Sequence, residues 1–561
     1  MAKTLHALFF IILLGLLLRL PYLDVLPYWD WDEGVNQNIA GNLADGKSQW
    51  FSLKYVWVPH PPLYLAACAL MLKTLGNGIY SMRLLSVGYS LLTIMLVYLL
   101  GKEIADKKTG LISALLFSVY PKAVYWNRMA FSNNQLMFLS ALAFYSLLLY
   151  LKDGNGKWFY LCAVTLSLSL ATGFTGLSFL VSTAILLHWY RKGRTIKMAA
   201  LSASLFAFFA LAMLWRAPDE FLHDFSFHFG RFSSAGALIA LAGIPLFLRY
   251  SDGIKAWFEG YFKVKGNVGR GVLFFYLPLT LLAILLPPSD VTTLEAIDYY
   301  WVASILGFVY ITNDMHRTSL WVTHLTYLLT LLGFNRADHM VLPAYPLMAL
   351  GVGVFLTKLY DARELLFKTI SGKYGKAAAS IIAVLAIYYP IGVLLYHDVN
   401  AFIFQNDLVV VSPDNINKLN DYINRNIKED DLVLTYSYLA PYVKCTTSEL
   451  QQAMAYEGKA ISYYPGDFKP DRFAFNTSIR RAKYIVLSGD TLNTLEREGY
   501  KDAADEIRGW KIAYRTKIAE KKIPPIYGLI SGLLGKPLTY ETGEYIVYEN
   551  PAYYPSTLKP E

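Results

Sequence analysis

Apolar residues come in long blocks separated by short charged connectors over most of the chain, and the pattern changes near residue 400. Blocks at 5–22, 83–101, 110–127, 132–151, 157–172, 174–190, 197–216, 231–249, 271–288, 296–311, 319–334, 339–357 and 377–397 approach the length a helix needs to cross hydrocarbon, about 20 residues. They predict a polytopic α-helical membrane protein, because lipid tolerates only backbones that satisfy their own hydrogen bonds. One further apolar stretch, 62–76, is short and opens on paired prolines. It is read as lying along the membrane surface rather than crossing.

Loop charge supports that reading. With 62–76 uncrossed, the basic loops Lys102–Lys108, Lys152–Lys157, Arg191–Lys197, Arg249–Arg270 and Lys358–Lys376 share one side. The loops 217–230 and 289–295, acidic or neutral, fall on the other. The positive-inside rule then gives about thirteen spans, with the N-terminus cytoplasmic and the C-terminus outside. The first apolar run has no small-residue cleavage site and reads as a retained helix. The membrane part is therefore 1–398, with a first outer loop, 23–82, that carries juxtamembrane helices.

From 399 to 561 charges become frequent and long apolar runs end. Ser412-Pro413-Asp414 precedes an amphipathic stretch, 416–427, with the chemistry of a helix start. Short runs at 431–436, 484–488 and 544–548 read as strands. This predicts a C-terminal extracytoplasmic α/β domain.

Composition narrows the class further. At 55% hydrophobic residues the chain is too apolar for a soluble protein of its length. Its net charge of +9 sits in short loops between spans, so it does not indicate a nucleic-acid partner. Cys68, Cys162 and Cys445 are scattered and offer neither a disulfide framework nor metal spacing.

The most informative short segment is Pro27-Tyr-Trp-Asp-Trp-Asp-Glu-Gly34. It places Asp32 and Glu33 just past the first span, where carboxylates close to hydrocarbon are costly and point to function. Asp30 and Asp45 read as ordinary loop acids, and Trp29, Trp31, Trp50 and Trp57 chiefly as interfacial anchors. On the same face the topology gathers His60 of Pro59-His60-Pro61-Pro62, Arg128 and Asn133 at the end of the third span, and Arg336 and His339 before the twelfth. Asp219, Glu220, His223, Asp224 and His228 follow the seventh span. Arg83 reads as a helix-end anchor.

Acids, histidines and arginines beside lipid suit one kind of chemistry. A departing lipid phosphate needs cations or a metal to stabilise its charge, and an acceptor hydroxyl or amine needs a carboxylate to take its proton. A divalent cation could assist, with Asp32, His60 and His228 as candidate ligands. His223 and His228 alone would not form a site, because a spacing of five does not put both on one helix face.

The ordered set resembles a known family. A first helix is followed by Asp32-Glu33-Gly34, then His60-Pro61-Pro62-Leu63-Tyr64, Arg83-Leu-Leu-Ser86, Arg128 with a polar residue five positions on, and Leu342-Pro343-Ala344-Tyr345-Pro346. This looks like the GT-C class membrane glycosyltransferases, closest to the dolichyl-phosphate-mannose protein mannosyltransferases and the lipid A aminoarabinose transferases. The resemblance implies inverting transfer of a sugar from a polyprenyl monophosphate carrier to a protein, lipid or glycan acceptor on the extracytoplasmic face. It implies that Asp32 is the essential acid, acting as general base with Glu33 beside it. Arg128 matches the family arginine and His60 occupies the family's position before the paired prolines; with Asn133, Arg336 and His339, which share that face, they are the candidates to hold the donor phosphate or sugar. The chain departs from the pattern at Asn133, where many relatives carry an aspartate. An amide cannot serve as base, so more weight falls on Asp32.

Two other readings stay open. One is an oligosaccharyltransferase or glycan ligase using a lipid pyrophosphate donor. The other is a transporter or flippase for a lipid-linked substrate, although transporters place polar groups near the bilayer midplane and show inverted repeats, and no repeat is visible here.

Overall fold

The computed structural model describes residues 2–45, 61–216 apart from 77 and 192, 249–259, 299–333, 338–361, 391–403, 409–459, 476–522 apart from 498, and 539–553, with a few isolated positions between them. Among the described residues four helices are long and apolar enough to cross a membrane: Ala2–Arg19, Ile79–Ile104, Ser132–Asp153 and His339–Asp361. A fifth is added if the bent pair Thr195–Ser204 and Phe206–Ala212 is one span. The expected spans at 271–288 and most of 231–249 and 377–397 lie outside the described residues.

Among the described residues up to 216, ten α-helices follow in chain order: α1 (Ala2–Arg19), α2 (Trp31–Asp45), α3 (Pro62–Leu75), α4 (Ile79–Ile104), α5 (Lys107–Ser118), α6 (Pro121–Asn127), α7 (Ser132–Asp153), α8 (Gly156–Leu170), α9 (Leu177–Tyr190) and α10 (Thr195–Arg216). The stretch expected as one span over 110–127 is instead two helices. Pro121 opens α6 and holds Tyr120 extended, with ψ 112°, because proline's ring disfavours a helical residue before it. Asp106 caps α5 by accepting from Thr109 N at 2.7 Å, and Asn155 caps α8 by accepting from Lys157 N at 3.1 Å. Each cap satisfies an amide that the first helical turn leaves open.

The stretch left out of the spans is the 14-residue helix α3, which at 1.5 Å per residue reaches about 21 Å, short of a ~30 Å hydrocarbon core. It packs against α2 through Val35, Ile39 and Leu65 and through Ala40, Tyr64, Cys68 and Leu72. Leu63 N donates to Ala171 O at 3.1 Å, tying its start to the end of α8.

Close helix crossings use small residues, as expected where lipid supplies no hydrophobic drive between helices. The helix Tyr299–Val309 meets Tyr345–Asp361 at Gly307, where a Cβ would fall 1.7 Å from the Gly351 carbonyl oxygen. A Cβ on Gly353 would fall 2.0 Å from Ser113 Oγ of α5.

Among its described residues the C-terminal part holds a six-stranded mixed sheet in the order β1-β5-β6-β4-β2-β3. The strands are β1 (Val409–Val411), β2 (Leu432–Leu434), β3 (Thr446–Ser448), β4 (Tyr484–Ser488), β5 (Lys511–Lys522) and β6 (Thr539–Glu549). β2 is parallel to β3 and to β4, and the other pairings are antiparallel. Side chains alternate in period two. Leu432, Leu434, Ile485 and Leu487 face one core with Met454, Ile507 and Trp510. Val433, Val486 and Val547 face another, with Leu419 and Ile423 of the helix Pro413–Arg425, that runs on into the membrane helices. The two parts thus share one continuous core.

Replacing Gly307 by leucine forces the Gly307–Gly351 crossing apart. Overpacking of this kind costs about 1–3 kcal/mol or more. Gly307→Leu is expected to lower the thermal unfolding midpoint of the detergent-solubilised protein, whereas Gly78→Ala, in open space, is expected to leave it unchanged.

Candidate active site

The segment after α1 turns on its own side chains. Asp30 precedes α2 and accepts from Asp32 N at 2.9 Å, while Glu33 Oε2 accepts from Asp30 N at 3.3 Å. This reciprocal capping satisfies amides that the first helical turn leaves open. Asp30, read from sequence as an ordinary loop acid, is therefore the helix cap that aims Asp32.

Glu33 does more. Arg83 of α4 donates to it twice, from Nε to Oε1 at 2.8 Å and from Nη2 to Oε2 at 2.6 Å, and both side chains have no solvent exposure. Ala130 N donates to Oε1 at 2.6 Å. With Asp30 N, four donors occupy the two oxygens of Glu33. Arg83 also donates from Nη1 to the Leu23 and Pro27 carbonyls at 3.1 and 2.9 Å. Sequence reasoning gave Arg83 a helix-end role; it is instead the hub that joins α4, the first loop and the turn before α7. A planar fork matched to a carboxylate was the available signal.

Arg128, expected on the donor phosphate, is fully buried. Its Nη1 donates to Leu18 O at 2.9 Å and its Nη2 to Leu26 O at 3.0 Å and to Pro21 O. Its guanidinium lies 4.9 Å from the Phe402 ring centroid. The guanidinium thus clamps the turn between α1 and α2 and leaves only Nε without a partner. Next to it, Arg19 donates to Asn127 Oδ1 at 3.1 Å, and Asn127 donates to Asn134 Oδ1 at 2.8 Å. Asn133 lies buried in the first turn of α7. His339 stacks on Phe131, the residue that precedes α7, with ring centroids 4.3 Å apart and planes within 6°. His60, Arg336 and His228 lie outside the described residues. Among the described residues no group of three His, Cys, Asp or Glu side chains is placed to hold a metal ion.

The C-terminal part completes the surroundings of Asp32. Trp29 stacks on Tyr442 with centroids 5.4 Å apart, Trp31 meets Tyr436 edge-on at 6.0 Å, and Tyr28 meets Tyr438 edge-on at 6.3 Å. Tyr28 and Tyr545 share a hydroxyl hydrogen bond of 2.9 Å. Asn38 Nδ2 donates to Ser437 O at 2.7 Å, and Ser437 Oγ donates to Trp31 O at 2.8 Å. A Cβ on Gly34 would fall 2.2 Å from Tyr438 N, so the glycine lets α2 touch the strand-end segment. Trp29 and Trp31, read as interfacial anchors, are docking groups for the C-terminal part. Their register against Tyr436 and Tyr442 is a long-range pairing that neither segment announces alone.

This contact carries a topological consequence. Residues 28–38 and 436–442 must lie on one side of the membrane, so an even number of crossings separates them. The sequence expectation of about thirteen spans has that parity; among the described residues four to five helices are long and apolar enough to cross.

Asp32 differs from its neighbours in having its side chain exposed. Protein crowded around its recess keeps bulk water away, and this, with repulsion from Glu33, raises its carboxyl above the usual range. Asp30 is pushed up to about 7, first by burial and then by Asp32 and Glu33. Glu449, just before the helix Leu450–Tyr456, is pushed up to about 8, mainly by burial, opposed by the nearby polar groups of Ser437 and aided by Asp32. Sequence reasoning missed Glu449 altogether, because only the fold brings it near Asp32.

Comparison with known proteins agrees with this architecture. Residues 59–215 match the family model described as dolichyl-phosphate-mannose-protein mannosyltransferase. The fold is similar to that of ArnT from Cupriavidus metallidurans bound to undecaprenyl phosphate, at a TM-score of 0.55 and 12% identity over 98% of this chain and 99% of that one. It is also similar to the Archaeoglobus fulgidus oligosaccharyltransferase AglB in complex with an inhibitory peptide and a dolichol-phosphate, at a TM-score of 0.55 and 13% identity over 91% of this chain and 73% of that one. No curated protein sequence matches the chain. The resemblance to the protein mannosyltransferases is thus met by a family model over residues 59–215, and the likeness to ArnT and AglB is one of fold.

Two outcomes follow from the geometry. Glu33→Gln strands a buried guanidinium and is expected to cost about 3–5 kcal/mol, seen as a lower unfolding temperature, whereas Asp32→Asn is expected to stay within about 0.5 kcal/mol of the parent. Asp30 binds its proton more tightly folded than unfolded, with a carboxyl near 7 against 3.8. Stability should therefore fall as pH rises from about 4 to about 7, and Asp30→Asn, which preserves the cap, should flatten that slope in a pH series of melting curves.

Proposed function

We propose that the chain is an inverting glycosyltransferase that moves a sugar from a polyprenyl monophosphate carrier to an acceptor hydroxyl or amine on the extracytoplasmic face. The observation that carries the reading is the contrast between two adjacent acids. Glu33 is locked in a buried ion pair, and Asp32 stands open on the first turn of α2 beside the C-terminal part.

The chemistry is a single displacement. The acceptor oxygen or nitrogen attacks the anomeric carbon from the face opposite the lipid phosphate. The bond from that carbon to the phosphate oxygen breaks, and the polyprenyl phosphate leaves with the electron pair. Asp32 takes the acceptor's proton, and a carboxyl raised above its ordinary value suits a base working near neutral pH. Glu33 and Arg83 act as positioning residues that hold the helix start. Because Arg128 spends its Nη donors on backbone carbonyls, the reading gives the departing phosphate to Arg336 and His60, with His339 and Asn133 forming a wall near α7. The N-terminus is assigned to the cytoplasm and both Asp32 and the C-terminal domain to the outside.

The AglB-like alternative, a lipid pyrophosphate donor, is less well supported, because the chain spans nearly the whole of ArnT but 73% of AglB. Mass spectrometry of the released lipid separates one phosphate from two.

The test is transfer from labelled polyprenyl-phosphate sugars by the purified protein in lipid nanodiscs. Asp32→Asn is expected to lower kcat by about 10²–10⁴-fold with its melting curve unchanged. The parent's rate should fall on the acid side as Asp32 takes up a proton. Full activity in Asp32→Asn would remove the assigned base.

A further inference from the structure

A cavity of about 450 Å³ lies between the C-terminal ends of β2 and β4, the helices behind them, and Trp31 of the first loop. Its size is within the range of ligand pockets, about 300–1,000 Å³. Its position also follows the rule that open sheets bind ligands outside the carboxyl ends of parallel strands. Trp31 comes from the membrane part and is the residue next to Asp32, so the cavity belongs to neither part alone.

The lining is specific in what it offers. Trp31, Tyr436 and Tyr500 present aromatic rings, and aliphatic side chains of β2, β4 and the helix Leu450–Tyr456 form the floor. Thr435, Gln451 and Thr494 add neutral hydrogen-bonding groups. Thr435 is 4% exposed, and its buried hydroxyl has no hydrogen-bond partner, an arrangement that is costly unless a ligand group supplies one. No charged side chain lines the cavity among the described residues. A phosphate or carboxylate would enter without a counter-charge, which is expensive in a partly enclosed site. The donor's phosphate is therefore excluded, and a neutral ring with apolar faces and hydroxyl edges is favoured.

We propose that this cavity binds a neutral sugar ring of a glycan acceptor, stacked on Trp31 and hydrogen-bonded to Thr435. A ring held there lies against Trp31, whose neighbour in the chain is Asp32. The assignment of the ring to the acceptor rests on the transferase reading; the binding of a neutral ring does not.

The experiment is saturation-transfer NMR on the full-length protein in nanodiscs, with no donor present. The probes are methyl glycosides of glucose, galactose, mannose and N-acetylglucosamine, with glucose 1-phosphate as the charged counterpart. Transfer to the ring C–H protons of at least one neutral glycoside is expected, with none to the phosphate. Thr435→Val, nearly isosteric, should weaken that binding about fivefold, the equivalent of one hydrogen bond. Thr494→Trp, placed on a half-buried helix position, should abolish it with the melting curve retained. Absence of signal from every neutral glycoside, equal signal from glucose 1-phosphate, or undiminished signal in both variants would overturn the proposal. Glycoside binding without any turnover of lipid-phosphate sugars would sink the transferase reading and leave the pocket standing. Donor turnover without glycoside binding would do the reverse.

Discussion

The Glu33–Arg83 ion pair is the constraint on which the rest of the site depends. Two opposite charges with no solvent exposure are tolerable only when their geometry is close and every remaining donor and acceptor is used. Here nearly all are: Glu33 accepts from Arg83, Ala130 and Asp30 on its two oxygens, and Arg83 spends a further nitrogen on two carbonyls of the turn after α1. One pair thus fixes the first loop, the fourth helix and the turn before α7 against one another. Asp32, the preceding residue on the same helical turn, is left exposed, held in place without being used up.

That fixed helix start is also what the C-terminal part docks on. Gly34 removes the Cβ that would strike Tyr438 N, and Trp29, Trp31 and Tyr28 pair with Tyr442, Tyr436 and Tyr438. Aromatic pairs of this kind add roughly 0.5–1.5 kcal/mol each beyond their buried area. Three of them, with the Asn38–Ser437 and Ser437–Trp31 hydrogen bonds, make the seam a specific joint. The segment Pro27–Gly34 therefore has two jobs: its odd-numbered tryptophans face the C-terminal part, and its acids divide between scaffold and open surface.

Much of this was legible in the chain. Apolar block length pointed to the membrane class, and short runs after residue 400 pointed to strands. The runs at 484–488 and 544–548 coincide with β4 and lie within β6. Other features were not legible, for physical reasons. The long strand β5 (Lys511–Lys522) carries lysines along its length and looks like a polar linker until it is paired with β6. Pro121 broke a block that hydropathy alone treats as continuous. Glu33 and Asp32 are indistinguishable as neighbours in sequence, and only the position of Arg83, 50 residues away, separates a buried partner from an exposed acid. Arg128 looked like a phosphate ligand because arginine is equally good at gripping backbone carbonyls, and sequence does not say which oxygens it will meet.

The account stands most directly on the claim that the first loop and the C-terminal part meet at Asp32 on one face of the membrane. A cysteine pair tests this: Asn38→Cys with Ser437→Cys, in a chain whose Cys68, Cys162 and Cys445 are replaced, oxidised in intact membranes. The account predicts an intramolecular cross-link, because the Asn38 side chain lies 2.7 Å from the Ser437 carbonyl oxygen. Single cysteines that each react with a thiol reagent, yet never link to one another, would contradict it.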